Sequence, residues 1–158
     1  VRLHGDVIAA RDAAHRRMWE ALDRGEPLPF EIRGATIYYV GPTPGDAERP
    51  VGSAGPTTSG RMDVYTPRLI ALGLRGMIGK GGRSAEVVEA MRRHGAVYFL
   101  AVGGAGALLG RCVVRAETVA YADLGPEAVR RLTLAGFPAI VAIDTQGRSV
   151  WETVGRKE

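Results

Sequence analysis

Residues 96–102, AVYFLAV, restrict the fold of this chain more than any other segment. An uninterrupted apolar run rich in aromatic and β-branched residues predicts a strand. A strand that is apolar on both sides is typical of a sheet covered on both faces. Residues 35–40 and 74–78 are predicted to form further strands. Such strands need other elements packed over them, which indicates a layered domain.

Helices are predicted between these strands from the spacing of apolar residues. Residues 11–23 and 86–94 repeat apolar side chains at helical intervals, and Ser84 is a good N-cap for the second helix. The other predicted elements are a loop at 41–56, a helix at 61–72 that Pro67 delays, a helix opened by 103–110, a strand at 118–122 and a short helix at 126–132. Residues 138–143 and 149–153 are predicted to flank a hairpin turn, DTQG. The predicted fold class is therefore α/β with a mixed sheet.

The composition limits the classes of molecule that this chain is expected to bind. Its 158 residues suit one domain, taken here as residues 1–158. No apolar stretch approaches the ~20 residues of a membrane-spanning helix, so no membrane association is expected. The 21 basic residues give a net charge of +4 but are scattered and lack interleaved aromatic residues, which favours a small anion over nucleic acid.

The single cysteine, Cys112, lies between aliphatic residues and is expected to be a small buried side chain. One thiol can neither form an internal disulfide nor hold an iron–sulfur cluster by itself. A reducing, cytoplasmic location is therefore expected, and any cluster would have to come from another polypeptide.

Two glycine-rich segments resemble nucleotide-binding motifs without matching them. A P-loop ending at Lys80 would need glycine at position 74 and serine or threonine at position 81, where the chain has leucine and glycine. A dinucleotide-binding fingerprint starting at Gly104 would need glycine at position 109, which is leucine. The glycines still allow a ligand or another backbone to approach these strand ends closely.

Three segments place cations beside hydroxyls or glycines at the ends of predicted elements. They are ARDAAH at 10–15, GPTTSGRMD at 55–63 and GMIGKGG at 76–82. Arginine binds a carboxylate through two parallel hydrogen bonds, lysine adds a point charge, and turn amides and hydroxyls add donors. Taken singly, each residue also suits a structural role such as helix capping. Their combination indicates a small-dicarboxylate site, with the cations Arg11, Arg61 and Lys80 and the hydroxyls of Thr57, Thr58 and Ser59.

In this order, the three segments resemble the β subunit, or C-terminal domain, of class I iron–sulfur fumarate hydratases. The later segments VYFLAVGGAGALL, VAYADLGPEAVRRL and FPAIVAIDTQG agree, so the resemblance covers nearly the whole chain. It implies a swivelling β/β/α fold. L-Tartrate dehydratase β subunits share this architecture. Gly60 and the intact ARDAAH segment favour fumarate or malate over tartrate.

The resemblance implies roles for the site residues. Family members interconvert fumarate and (S)-malate, and Arg11, Arg61 and Lys80 would bind the substrate carboxylates. Thr57 resembles the residue proposed as the catalytic base, with Arg61 making its hydroxyl more acidic. Asp12 is expected to favour the helix dipole, with catalysis as the alternative. His15 would either orient Arg11 and meet the substrate or be a packed structural residue.

The resemblance also implies partners. A [4Fe–4S] cluster would be held by three cysteines of an α subunit or N-terminal domain, and its open iron would bind the substrate. This chain would bind no metal and would be active only with that α subunit, in a homo-oligomer of αβ units. Two alternatives stay open: a β subunit of an L-tartrate or other hydroxy-dicarboxylate dehydratase, and a non-catalytic anion-binding domain.

Overall fold

The computed structural model describes residues 1–154 and contains one sheet of seven strands. The strands are β1 (Arg2–Ala9), β2 (Thr36–Tyr38), β3 (Gly76–Gly79), β4 (Val97–Leu100), β5 (Val113–Ala120), β6 (Val129–Pro138) and β7 (Ile140–Ile143). The helices are α1 (Asp12–Asp23), α2 (Thr66–Leu72), α3 (Ala85–His94), α4 (Gly106–Gly110) and α5 (Val150–Val154), with 3₁₀ helices at Ser59–Met62 and Ala122–Glu127. The predicted α/β class with a mixed sheet is confirmed. Residues 155–158 of the predicted domain lie outside the described residues.

The order of strands in the sheet is β5-β6-β1-β2-β3-β4-β7. Strands β1 to β4 run parallel to one another. The pairs β5–β6, β6–β1 and β4–β7 are antiparallel. The carboxyl ends of the four parallel strands therefore meet at one edge, which is where open α/β sheets bind their ligands.

Successive residues of the central strands alternate between two cores. Ile37 and Met77 belong to the core beneath α1, α2 and α3, whereas Tyr38 and Ile78 belong to the core on the opposite face. The second core is closed by residues from the loop before the first 3₁₀ helix, from α4 and from the antiparallel strands, including Val51, Leu109, Leu132 and Phe137. The sheet is thus covered on both faces, as the apolar strand β4 predicts.

Strand β4 is shorter than the apolar run that predicts it. Tyr98 is fully buried, but Val102 lies beyond the end of the strand and is 59% exposed. The chain leaves the sheet here because Gly103 and Gly104 begin a turn rather than a continued strand.

The predicted helix at residues 126–132 is wrong, because β6 begins at Val129. The 3₁₀ helix is kinked at Gly125, which has φ 58 and ψ −120, and it ends at Glu127, because Ala128 is extended. Strand β6 then pairs with β1 along most of its length. No strand is predicted for the polar start of the chain, so the sequence analysis misses β1 as well. Pairing between distant segments has overridden local helix propensity.

The predicted turn at DTQG is confirmed, but the strand expected after it is wrong. The Gly147 amide donates to the Asp144 carbonyl at 3.0 Å, which closes the turn. Ser149 forms an isolated bridge with Ile143, and α5 begins at Val150. The Ser149 hydroxyl accepts a hydrogen bond from the Trp151 amide at 3.3 Å, which favours a helix start over a second strand.

Two further elements differ in their bounds from the prediction. Strand β5 begins at Val113, ahead of the expected start at residue 118. Pro67 does delay a helix, since α2 begins only at Thr66 and holds the proline in its first turn. Within residues 1–154, no helix is both long and apolar enough to cross a membrane.

Candidate active site

The predicted site segments meet at the carboxyl edge of the parallel strands. Arg11 follows β1 and is the N-cap residue of α1, and Lys80 directly follows β3. The backbones of Thr58 and Lys80 form an isolated parallel bridge, so the GPTTSGRMD and GMIGKGG segments lie side by side. Sequence-distant residues therefore share one edge because parallel strands bring their ends together.

Hydrogen bonds along the backbone fix the threonine turn against the end of the sheet. The Thr57 amide donates to the Tyr39 carbonyl at 2.7 Å, and the Lys80 amide donates to the Thr57 carbonyl at 3.3 Å. The Ser59 amide donates to the Lys80 carbonyl at 2.9 Å. Thr57 is buried and Thr58 is exposed, so the two candidate hydroxyls lie in different surroundings.

Buried hydroxyls tie the same turn to strand β4. The Ser59 and Tyr98 hydroxyls lie 2.8 Å apart, and the Tyr98 hydroxyl donates to the Gly81 carbonyl at 2.8 Å. Burial raises the pKa of Tyr98 to about 12, so the phenol keeps its proton at neutral pH. These bonds hold the backbone on both sides of Lys80.

Asp12 joins two of the predicted cations. Its carboxylate accepts hydrogen bonds from Arg61 Nε at 2.8 Å and from Arg61 Nη2, and it also accepts one from Arg11 Nε at 3.1 Å. Burial raises the pKa of the Asp12 carboxyl, but the bonds from Arg61 and Arg11 outweigh it, so the pKa lies below its usual value. Asp12 is in the first turn of α1, as expected, and it also orients both arginines.

His15 is a packed residue that also holds the backbone of Arg11. It is 1% exposed, and its Nδ1 lies 3.0 Å from the Arg11 carbonyl. A carbonyl only accepts, so Nδ1 carries the proton and Nε2 carries the lone pair. Burial lowers the pKa of His15 to about 4, which leaves the ring neutral at pH 7. The His15 ring packs against Tyr39 and Tyr65. These contacts are those of a packed structural residue bonded to the Arg11 backbone, and a role of His15 toward the substrate stays a prediction.

Lys80 is partly buried, and its stem runs along the glycine turn after β4. A Cβ built on Gly103 would lie 3.4 Å from Lys80 Cδ and 4.0 Å from Nζ. Lys80 therefore lies beside Gly103 as well as beside its chain neighbours Gly79 and Gly81. Among residues 1–154, the ammonium group makes no salt bridge.

Local sequence patterns do not reveal Arg83, which binds Asp63 from inside the protein. Its side chain is fully buried, and its Nε donates to Asp63 Oδ1 at 2.7 Å. The other Asp63 oxygen accepts the Ser84 amide at 2.6 Å, and Arg83 Nη2 donates to the Tyr39 hydroxyl at 3.2 Å. The only local signal is an arginine directly before a helix N-cap, which by itself is too common to be informative.

Glu127 is also missed, because it lies in the segment predicted to be helical. Its Oε1 is 3.0 Å from Arg11 Nε, so Arg11 has carboxylates from two elements beside it.

Within residues 1–154, no group of three or more His, Cys, Asp and Glu side chains is placed to hold a metal ion. Cys112 is partly buried and packs against the second core, in keeping with its predicted role as a small apolar side chain.

Comparison with known proteins identifies the family. The sequence profile of the Fumarase C-terminus family matches residues 1–154. Aerobic class I fumarate hydratase of Salmonella typhimurium is 39% identical over 154 residues, covering 96% of this chain and 27% of the relative. Anaerobic class I fumarate hydratase of Escherichia coli is 39% identical over 158 residues, covering 99% of this chain and 29% of the relative.

A shorter relative matches over most of its own length. The putative L(+)-tartrate dehydratase subunit beta of Methanocaldococcus jannaschii is 39% identical over 163 residues, covering 99% of this chain and 84% of the relative. This chain thus spans less than a third of the two fumarate hydratases but corresponds to nearly the whole of a separate β subunit. The resemblance seen in the three site segments is confirmed, and the chain belongs to the Fumarase C-terminus family.

Proposed function

We propose that this chain is the β part of a hydro-lyase that interconverts fumarate and (S)-malate together with an α subunit. The observation that carries the proposal is the cluster in which Asp12 joins Arg11 and Arg61, at the same sheet edge as Thr57 and Lys80. The fumarate hydratase relatives are 39% identical to nearly all of this chain, which supports the same substrate class.

The three cations suit a substrate with two carboxylates. In both Arg11 and Arg61, Nε donates a hydrogen bond to the Asp12 carboxylate. The side of each guanidinium group that faces away from Asp12 would therefore bind the ligand. Lys80 adds a point charge on the neighbouring strand end. Removal of a C3 proton from malate places negative charge on the adjacent carboxylate. Fixed cations around that carboxylate stabilise the transition state more than the ground state.

Thr57 is our candidate for the group that moves the C3 proton. Its backbone is held by hydrogen bonds to Tyr39 and Lys80, and the residue is only 7% exposed, which limits the positions open to its hydroxyl. A threonine hydroxyl is a weak base, and nearby cations such as Arg61 and Lys80 would stabilise its deprotonated form. Thr58 is exposed beside it and would bind the substrate by hydrogen bonding.

The iron–sulfur cluster belongs on the partner in this proposal. One cysteine and the absence of a metal-binding group of side chains in residues 1–154 do not fit a [4Fe–4S] cluster held by this chain. The α subunit would supply it, and αβ units would associate into a homo-oligomer. The proposed ligand is a small dicarboxylate, and neither nucleic acid nor a membrane is part of the proposal.

A second candidate is L-tartrate dehydration on the same scaffold. The relative that matches over 84% of its own length is named as a tartrate dehydratase subunit, which is the observation in its favour. Tartrate is a dicarboxylate with one more hydroxyl than malate, so the same cations would bind it. Comparing the turnover of (S)-malate with that of L-tartrate separates the two candidate functions.

Anaerobic co-expression with the α partner tests the function. Fumarate absorbance is followed with (S)-malate as substrate for this chain alone, the partner alone and the two together. We expect turnover only from the mixture, with less turnover of L-tartrate than of malate. Faster turnover of tartrate would favour the second candidate. Fumarate binding without turnover in the mixture would instead support a non-catalytic anion-binding domain.

A further inference from the structure

We propose that Glu127 is a positioning residue for Arg11, and that with Asp12 it fixes the guanidinium group for a substrate carboxylate. The identity of the carboxylate rests on the proposed function, whereas the fixing of Arg11 rests on the geometry of this chain alone. Glu127 comes from the second 3₁₀ helix, an element that contributes no other residue to the site described above.

Two carboxylates share one edge of the Arg11 guanidinium. Nε lies 3.1 Å from Asp12 Oδ2 and 3.0 Å from Glu127 Oε1. Within residues 1–154, the Arg11 side chain donates one hydrogen bond, from Nε to Asp12, and Nη1 and Nη2 donate none. The two terminal nitrogens are the pair that binds a carboxylate end-on. The protein therefore engages the inner edge of the group and leaves its outer end for a ligand.

The charge of Arg11 compensates the burial of one carboxylate oxygen of Glu127, whose side chain is otherwise 31% exposed. Oε1 of Glu127 is buried and has no hydrogen-bond partner among the described residues. A buried carboxylate oxygen is costly unless a charge or a donor lies beside it. Its contact with Arg11 Nε is an ion pair at 3.0 Å without hydrogen-bond geometry. The buried oxygen of Glu127 thus faces Arg11, which indicates a role directed at that residue.

The aliphatic part of the Arg11 side chain lies close to Gly41, and Gly41 in turn lies close to Pro126, the residue before Glu127. A Cβ built on Gly41 would lie 3.0 Å from Arg11 Cδ and 3.2 Å from the Pro126 carbonyl oxygen. The glycine at position 41 thus lets the side chain pass between the end of β2 and the 3₁₀ helix. Packing near Gly41 restricts the aliphatic part of the Arg11 side chain, and Glu127 restricts its guanidinium group.

The segment that carries Glu127 is itself fixed to α1. Arg17 Nη1 and Nη2 donate to the two carboxylate oxygens of Asp123, each at 2.8 Å. The segment starts at Tyr121 with φ 57, a conformation that non-glycine residues adopt only where their surroundings enforce it. The Arg17 guanidinium lies 5.0 Å from the Tyr121 ring centre and packs over it. These contacts fix the part of the segment before Gly125. Beyond it, Arg130 Nη2 donates to the Gly125 carbonyl at 3.0 Å and Arg130 Nη1 donates to the Pro126 carbonyl at 3.1 Å, directly before Glu127.

The test uses Glu127→Gln, which keeps the shape and removes the charge. Its matched control is Glu20→Gln on α1, which removes an exposed ion pair in which Arg16 Nε lies 3.1 Å from Glu20 Oε1. In the αβ complex, we expect Glu127→Gln to raise KM for malate about tenfold with a smaller change in kcat, because binding rather than chemistry is affected. Glu20→Gln should leave both constants unchanged.

A second measurement does not depend on turnover. In the 158-residue chain labelled with ¹⁵N-arginine, the Arg11 Nε–H signal is assigned with Arg11→Lys, and its exchange with water is measured. We expect Glu127→Gln to speed this exchange several-fold and Glu20→Gln to leave it unchanged. The proposal would be overturned if the Arg11 Nε–H of Glu127→Gln exchanged with water at the wild-type rate. It would also be overturned if an active complex containing Glu127→Gln had the wild-type KM. Faster exchange in a chain whose complex has no hydratase activity would support the fixing of Arg11 and contradict only the proposed function.

Discussion

Ser59 Oγ occupies the space where a side chain at position 79 would begin. A Cβ built on Gly79 would overlap this oxygen deeply and would lie 2.9 Å from Tyr39 Cδ2. The contact explains why the last residue of β3 is glycine: the threonine turn packs directly on the end of the strand. The close approach at Gly79 is therefore made by side chains of the same chain, those of Ser59 and Tyr39.

Gly79→Ala should destabilise the fold and disturb the site together. Overpacking at a fully buried position costs ~1–3 kcal/mol of unfolding free energy, because Ser59 and its bond to Tyr98 must move. Urea unfolding of the chain measures this loss. The matched control is Gly82→Ala in the same segment, where a Cβ would meet nothing within 4 Å. Equal stability of the two variants would show that the turn does not press on the strand.

Arg83→Met should be among the most destabilising single changes in this chain. Removal of the arginine leaves the Asp63 carboxylate largely buried, and loss of one partner of a buried ion pair costs about 3 to 5 kcal/mol. The urea midpoint of the isolated chain measures it. Arg92→Met breaks an exposed ion pair with Glu89 and should leave the midpoint nearly unchanged. A small change in the urea midpoint of Arg83→Met would mean that apolar packing can replace the Arg83–Asp63 ion pair.

Local sequence patterns predict some parts of the site and cannot predict others. Lys80 is identifiable because an apolar strand ends in glycines around one cation, and Arg61 because it follows a hydroxyl-rich turn. Arg83 and Glu127 act through contacts with residues far away in the chain, so their own neighbours give no signal. Strand β6 is missed for the same reason, since its conformation is stabilised by pairing with β1 rather than by its own propensity.

His15 should make the stability of the fold depend on pH in mildly acidic solution. Its pKa is about 4 in the folded chain against 6.5 for an ordinary histidine, so the unfolded chain binds the proton more readily. Stability from this group is complete above pH 6.5 and is lost as the pH falls towards 4. The difference in pKa corresponds to about 3 kcal/mol over that window.

His15→Gln tests this dependence through urea midpoints measured between pH 4 and 7. The variant should lose part of the rise in stability with pH that the wild type shows. His4→Gln is the control, because that imidazole is exposed and lies at the far end of β1. The same slope in wild type and His15→Gln would contradict a neutral, buried His15.

Thr57→Ala examines the proposed proton transfer in the αβ complex. If the Thr57 hydroxyl moves the C3 proton, its removal should lower kcat by at least ~100-fold, the usual contribution of a positioned acid–base group. Thr57→Ser keeps the hydroxyl and should retain much of the activity, which separates chemistry from misfolding. Because Thr58 is exposed, Thr58→Ala should act mainly on KM. Turnover of Thr57→Ala within a few-fold of wild type would place the base elsewhere, on the partner subunit.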